Sequence, residues 1–348
     1  MSIAKLILRL GVGATLVYLL LYKHEVPFEK VRAHFADLPV AVVLLALALY
    51  LLGQLLSAYR WSNLSTMGGR PARFRDAWPV YFTGMFFNMC LPTSIGGDVW
   101  RVVGLSRKTG SKSGAFASVF MDRNVGLAAL LIVGLISSIA APKICTVEAT
   151  IRPWMTEAVV FPLWPLFVVL LIGFVGANAA IFSDSFCHFV GYVCRGLRLG
   201  FISSRIEKLH NSVQAYRQPL PNYLSAFVLS VVYQFSEIAV VIVLAMAMGV
   251  NLSPFVFATI VTFQAVASLL PVTFAGVGVR EAIFCAVLKG QLGDGVKDEA
   301  VAISLAYFGI VLMSSLIGGG VYLLSGMKSP SAAETSAEPV VNTVASGQ

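Results

Sequence analysis

From Leu38 to Tyr59, from Ala158 to Ser183 and from Ala300 to Met327 the chain carries no Asp, Glu, Lys or Arg. Between Arg217 and Arg280 it carries one, Glu237. A helix of about 20 apolar residues matches the thickness of a bilayer's hydrocarbon core. Runs of this length with this little charge belong in a membrane. The mean hydropathy of +0.82 agrees, and the fold class is an all-α polytopic membrane protein.

We expect six full spans, near 6–22, 39–58, 114–141, 159–182, 223–248 and 300–326. Two further apolar stretches, 77–90 and 255–270, are too short to cross. Each runs into a polar Pro/Gly motif and a second short helix, the pattern of a broken re-entrant segment. Lys5 and Arg9 ahead of the apolar run Leu10–Tyr22 look like a signal peptide. Lys23-His24-Glu25 follows with no small-residue cleavage site, so the run reads as a retained first span.

With the N-terminus in the cytoplasm, basic residues concentrate inside: Lys5 and Arg9; Arg60, Arg70, Arg73 and Arg75; Arg101, Arg107, Lys108 and Lys112; five more between Arg195 and Arg217; and Lys328. That is 16 of the 25 Lys and Arg, with 8 outside and Arg123 inside a span. The expected location is therefore a cell (inner) membrane, with both termini cytoplasmic. The net charge of +8 is accounted for by topology and contact with anionic lipid, and calls for no nucleic acid. The domain plan is one transmembrane domain over 1–328 and a Ser/Ala/Thr-rich tail at 329–348 expected to be disordered. Residues 184–222 form a cytoplasmic linker. Its apolar and basic residues alternate as in amphipathic helices on the inner leaflet, and an ordinary linker fits equally well. Cys90, Cys145, Cys187, Cys194 and Cys285 form no C-x-x-C pair, and the four histidines do not cluster with them. No metal, cofactor or disulfide framework is expected.

The polar motif LPTSIGGDVWR (91–101) recurs as LPVTFAGVGVR (270–280). A shift of 179 aligns Pro92 with Pro271, Ser94 with Thr273, Gly97 with Gly276 and Arg101 with Arg280. Each copy follows a short apolar helix, and a full span lies on either side. The repeat units are about 39–141 and 223–326. One extra span, 159–182, separates them, so they enter the membrane from opposite sides as an inverted repeat. Proline enforces each break, and glycine lets the backbone turn or a second helix approach. A helix restarting near Gly97 or Gly276 would aim free N–H groups and a positive dipole end into the gap. Arg101 and Arg280 would add full charges suited to a phosphate. Two plainer readings stay open: Pro and Gly shaping helix packing, and Arg101 paired along its helix with Asp98.

Glu237 lies in the middle of a span, where a charge is costly, and should face the bundle interior. Arg101, Arg123 and Arg280 are its candidate partners. A proton-coupling or headgroup-amine role and a neutral interhelical acid fit equally. Asp122 and Arg123 lie well inside the span that follows the first motif. Adjacent positions diverge on a helix, so one should face the interior while the other packs elsewhere or snorkels. Arg280-Glu281 looks like a second acid–base pair, and Gln54 and Asn88 are candidates for interhelical hydrogen bonds.

LPTSIGGDVWRVVGLSRKTG, SVFMDRNVGLAALL and LLPVTFAGVGVREAIFCAVL together resemble the lysylphosphatidylglycerol-synthase transmembrane family, also called flippase-like. The resemblance covers most of residues 6–326. It implies Pro92, Gly96, Gly97, Asp98, Arg101, Asp122, Arg123, Gly276, Gly278, Arg280 and Glu281 as motif residues, and movement of lipids between leaflets. The 39 or so residues from Asp184 to Asn222 are too few for an aminoacyl transferase domain. The expected function is a non-enzymatic flippase-like transporter of a phosphate-bearing lipid: a phospholipid, an aminoacyl-phospholipid, a hopanoid or a polyprenyl-linked lipid. Ser94, Thr273 and Glu237 join the motif residues as candidate substrate contacts, with anionic membrane lipids as partners. Two alternatives are a membrane-embedded transferase acting on a lipid-linked substrate, and a non-catalytic subunit of a lipid or glycan biosynthesis complex.

Overall fold

A computed structural model describes residues 28–67, 70–90, 96–140, 146–149, 159–196, 220–269 and 278–325. The expected span 6–22, the linker from 197 to 219 and the tail lie outside these residues. So do Pro92, Ser94, Pro271, Thr273 and Gly276.

The described chain is helical apart from two short antiparallel hairpins. In order come α1 (Phe28–Ala36), α2 (Val40–Leu64), β1 (Thr66–Met67), β2 (Arg70–Pro71), α3 (Phe74–Cys90), α4 (Gly96–Thr109) and α5 (Lys112–Ala140). Then follow β3 (Thr146–Ala149), β4 (Val159–Pro162), α6 (Trp164–Phe182), α7 (Asp184–Gly196), α8 (Leu220–Ala247), α9 (Pro254–Ser268), α10 (Val279–Leu292) and α11 (Lys297–Leu324). The strands pair β1 with β2 and β3 with β4, in the connections between helices. Five helices are long and apolar enough to cross a membrane: α2, α5, α6, α8 and α11. The protein is a multi-pass membrane protein.

The two short apolar stretches are helices of 17 residues (α3) and 15 residues (α9), each leading to a 14-residue helix that carries a motif arginine. Pro79 is tolerated in α3 because it lies in the second turn, where only one hydrogen bond back to Arg75 is lost. The expected span at 39–58 runs on to Leu64. The first charge, Arg60, had marked its end and was counted as a cytoplasmic loop charge. In fact the helix carries Arg60 into the bundle, where neighbouring helices answer its charge.

The bundle is built around α2 and α8. Contacts between them pair Gly53 with Ser236, Gln54 with Tyr233 and Arg60 with Ser230, so the partner number falls as the first rises. The two helices therefore cross antiparallel. A Cβ on Gly53 would run into the Ser236 hydroxyl, so the close crossing requires glycine here. Around this pair, α3 packs against α11, α9 against α5, α8 against α5, and α2 against α11. Val240, Val241, Leu244, Phe257, Ile260, Phe284, Leu288 and Ile303 fill the largest apolar core. Trp61, Val80, Trp100, Leu105 and Val119 make a second core beneath α4. α6 lies at the periphery, seated by Phe167 against Gly134 and by an Asn124–Asn178 hydrogen bond of 2.7 Å. It leaves Val169, Ile172 and Val175 exposed, as a lipid-facing helix should.

Gly53→Val should wedge α2 from α8 at a cost of about 1–3 kcal/mol, as overpacking does. The expected result is a lower melting temperature for the detergent-purified protein, followed by tryptophan fluorescence.

Candidate functional site

Asp122 lies at the centre of the site, buried on α5 between two arginines. Arg60 Nε donates to Oδ1 at 2.8 Å from α2, and Arg101 Nη2 donates to Oδ2 at 2.6 Å from α4. The remaining donors of Arg60 go to Ser230 Oγ at 2.7 Å and Ser57 Oγ at 3.1 Å. The Arg101 guanidinium lies over the rings of Trp61 (4.4 Å) and Tyr81 (4.7 Å), a cation–π arrangement. Its Nε is buried without a hydrogen-bond partner.

Arg123, one residue on, points the other way. It holds Asp98 through Nη2 to Oδ1 at 2.8 Å and Nε to Oδ2 at 2.9 Å. Its side chain is 54% exposed, about 16 Å along a 29-residue helix. Arg101 Nη1 also reaches Asp98, at a longer 3.4 Å. The pairing along α4 that the sequence allowed is thus present, but Asp122 is the closer partner of Arg101. Arg60, Arg101 and Arg123 against Asp98 and Asp122 leave this cluster with one positive charge in excess.

From Ser57 a chain of hydrogen bonds crosses the bundle. Tyr81 donates to Ser57 Oγ at 2.7 Å and lies 3.4 Å from Gln54 Oε1. Gln54 Nε2 meets Tyr233 OH at 3.3 Å and Glu237 Oε1 at a long 3.5 Å. Tyr233 donates to Glu237 Oε1 at 2.8 Å, and Tyr307 donates to Oε2 at 2.6 Å. Tyr307 then presents its ring to Arg280 at 5.6 Å, with Phe308 at 5.0 Å. Arg280 Nε donates to Gln264 Oε1 on α9 at 2.9 Å. Polar contacts thus run from Arg123 to Gln264, with the Tyr307 ring as the last link.

Four expectations need correction. The arginines expected beside Glu237 do not supply its close hydrogen bonds; the hydroxyls of Tyr233, one turn back on α8, and Tyr307 on α11 do. At each helix start a side chain already takes one of the backbone N–H groups. Asn88 Oδ1 takes the Gly97 N–H at 2.8 Å, and Glu281 Oε2 takes the Gly278 N–H at 2.5 Å. Glu281 also accepts from Ser304 Oγ at 3.2 Å, so it serves its helix start and α11. It is not the second half of a simple pair with Arg280. Finally, the second motif helix begins at Val279, not near Gly276, after Gly278 at φ 87°.

The first motif's glycines have a steric reason. A Cβ on Gly97 would strike the Gly84 carbonyl, and one on Gly84 would lie 3.0 Å from Arg101 Cγ. The α3–α4 contact is backbone against backbone, and Arg101 lies across it. Gly96 is buried at the start of the same helix. Arg60, Tyr81, Tyr233 and Tyr307 went unrecognised in the sequence. A single arginine in the last turns of an apolar helix was the available signal for Arg60. The tyrosines gave none, because tyrosine in a span reads equally as an interfacial anchor.

These features define a polytopic membrane protein with two interrupted helices and a buried ionic network between its spans. Residues 6–319 match the family described as the lysylphosphatidylglycerol synthase TM region, and the chain belongs to that family. No curated protein and no solved structure matches it.

Removing a partner from a buried ion network leaves an unanswered charge, at a cost of about 3–5 kcal/mol. Asp122→Asn should therefore destabilise the protein strongly, and adding Arg60→Gln should recover part of the loss. Melting temperatures of the two single variants and the double variant check this as a double-mutant cycle.

Proposed function

We propose that the protein moves phosphate-bearing lipids between the leaflets of a cell membrane. The observation that carries this reading is the polar network from Arg123 to Arg280 through an otherwise apolar bundle. Ionisable groups inside a membrane are costly and usually mark a pathway or binding site. The headgroup travels along this path while its acyl chains stay in the bilayer.

Arg123 is the entry point, because it is the exposed arginine of the network. Asp98 holds its place until a phosphate arrives. A phosphate oxygen then displaces the carboxylate from Arg123, and the spare Nε of Arg101 offers the next donor. This revises the expectation that Arg101 meets the phosphate first, since its guanidinium is buried and committed to Asp122. On the other side Arg280, beside Gln264 and two aromatic rings, receives the phosphate.

An inverted repeat supports alternating access. Unit one is α2 to α5 and unit two is α8 to α11. Their contacts come in reciprocal pairs: α3 with α11 and α9 with α5; α8 with α5 and α2 with α11. The first helices of the two units cross antiparallel, and Gln54 meets Tyr233 at a separation of 179, the shift that aligns the motifs. A two-fold axis relating the two units would pass near that pair and lie in the membrane plane. Rocking of one unit against the other would then expose the network to each side in turn, with both termini cytoplasmic.

The test is transfer of an acyl-labelled fluorescent phosphatidylglycerol in proteoliposomes, read as protection from a membrane-impermeant quencher. Arg123→Gln should slow transfer about tenfold or more, the loss of one charge-assisted hydrogen bond. Arg101→Ala and Arg280→Ala should abolish it while the protein stays monodisperse. Undiminished transfer in all three would overturn the reading. A covalently altered lipid product from the purified protein would point to a transferase instead.

A further inference from the structure

Among the described residues the charges inside the bundle balance: Arg60, Arg101, Arg123 and Arg280 stand against Asp98, Asp122, Glu237 and the buried Glu281, which lies beside the network and not in it. Asp98 and Arg101 lie in the first motif, Arg280 and Glu281 in or directly after the second, Arg60 and Asp122 complete the triad, and Arg123 pairs with Asp98. Glu237 differs: its close contacts are hydroxyls on α8 and α11. Each carboxylate oxygen accepts one tyrosine hydroxyl, an arrangement that suits the ionised form. Protonation turns one lone pair of a carboxylate oxygen into a donor and weakens that oxygen as an acceptor for Tyr233 or Tyr307. Tyr307 is the ring against Arg280 and stands edge-on to Tyr50, 6.5 Å away. A proton at Glu237 is thus felt at Arg280.

We propose that Glu237 is a proton-binding site that loads one proton with each monoanionic phosphodiester headgroup, making the protein a proton–lipid cotransporter. The proposal rests on the lipid-transport reading and names its coupling ion and substrate charge. With Glu237 ionised and no headgroup bound, these eight interior charges sum to zero. A monoanionic headgroup alone would leave an uncompensated negative charge in the bilayer, and a proton alone would leave a positive one. The two together restore neutrality, so each favours binding of the other, and by linkage the effect is reciprocal. The step is an acid–base one: a proton from water on one side joins a carboxylate oxygen of Glu237 and leaves to water on the other.

The groups facing Glu237 can be named by element. α2 contributes Tyr50 and Gln54, and α3 contributes Tyr81 through Gln54. α10 contributes the charge of Arg280, and α11 contributes Tyr307. Its own helix contributes Tyr233. From α5, Asp122 is connected through Arg60, Ser57 and Tyr81. α9 carries no charged residue.

Two measurements test this. In phosphatidylcholine vesicles holding trace acyl-labelled phosphatidylglycerol, a step of one pH unit across the membrane should shift the label's leaflet ratio about tenfold toward the alkaline side. Glu237→Gln should show no shift at whatever rate it exchanges the lipid, and a tenfold shift retained in it would overturn the proposal. Tyr307→Phe, which keeps the ring and loses the hydroxyl, should show a reduced one. A wild-type distribution indifferent to the gradient would overturn the proposal and leave the transport reading standing. The second measurement does not depend on transfer. Infrared difference spectra of the purified protein at fixed pH should gain a protonated-carboxyl C=O band when phosphatidylglycerol is added, and Glu237→Gln should lack it. That gain without any lipid transfer would support the linkage and overturn the transport reading. A spectrum unchanged by the lipid would overturn the linkage. An equal response to dimethyl phosphate would overturn the lipid as ligand in favour of a soluble phosphodiester.

Discussion

An arginine inside a bundle of apolar helices is tolerated when something answers its charge, and in this protein Asp122 answers two. Arg60 and Arg101 reach it from different helices, so the ion triad ties α2, α4 and α5 together at one point. Hydrophobic association cannot do this inside a bilayer, because lipid tails are as apolar as the helices themselves. What holds α2 to α8 is close backbone approach at Gly53 and hydrogen bonds at Gln54 and Arg60. The polar network is therefore part of the fold as well as the candidate pathway. A substitution in it must be read for stability before it is read for transport.

The membrane architecture was legible in the sequence because bilayer thickness translates directly into run length. The spans at 114–141, 223–248 and 300–326 reappear as α5, α8 and α11 within a few residues. The short helices flanking each motif were legible for the same reason, being too short to cross. Arg60 escaped because hydropathy treats a charge as a boundary, whereas a helix ends where backbone hydrogen bonding ends. The hydrogen-bond partners of Glu237 escaped for another reason. A buried carboxyl needs donors, and sequence shows which donors exist but not which faces meet.

The reversed roles of Asp122 and Arg123 show how far local geometry does carry. Adjacent residues on a helix point about 100° apart, so they cannot serve one another. One went to the interior and one to a half-exposed position beside Asp98, as that constraint requires. Sequence could not assign which went where, since that depends on Arg60 arriving from α2 and Asp98 from α4. The long-range partner decides, and both partners come from elements that the breaks in the chain reposition.

That point bears on why the helices are interrupted at all. At each break a side chain already takes one backbone N–H: Asn88 that of Gly97, and Glu281 that of Gly278. What the interruptions achieve is placement. Each lets a second short helix begin within the bundle, with an arginine in its first two turns. Arg101 thereby lies across the α3–α4 backbone contact, and Arg280 lies against Tyr307 and Phe308. A continuous helix of the same sequence would carry those arginines toward the membrane surface, where water screens them. The recognition chemistry therefore resides in side chains set at depth. Aromatic rings and carboxylates hold their charge there, and on the proposed reading a lipid headgroup would exchange with Asp98.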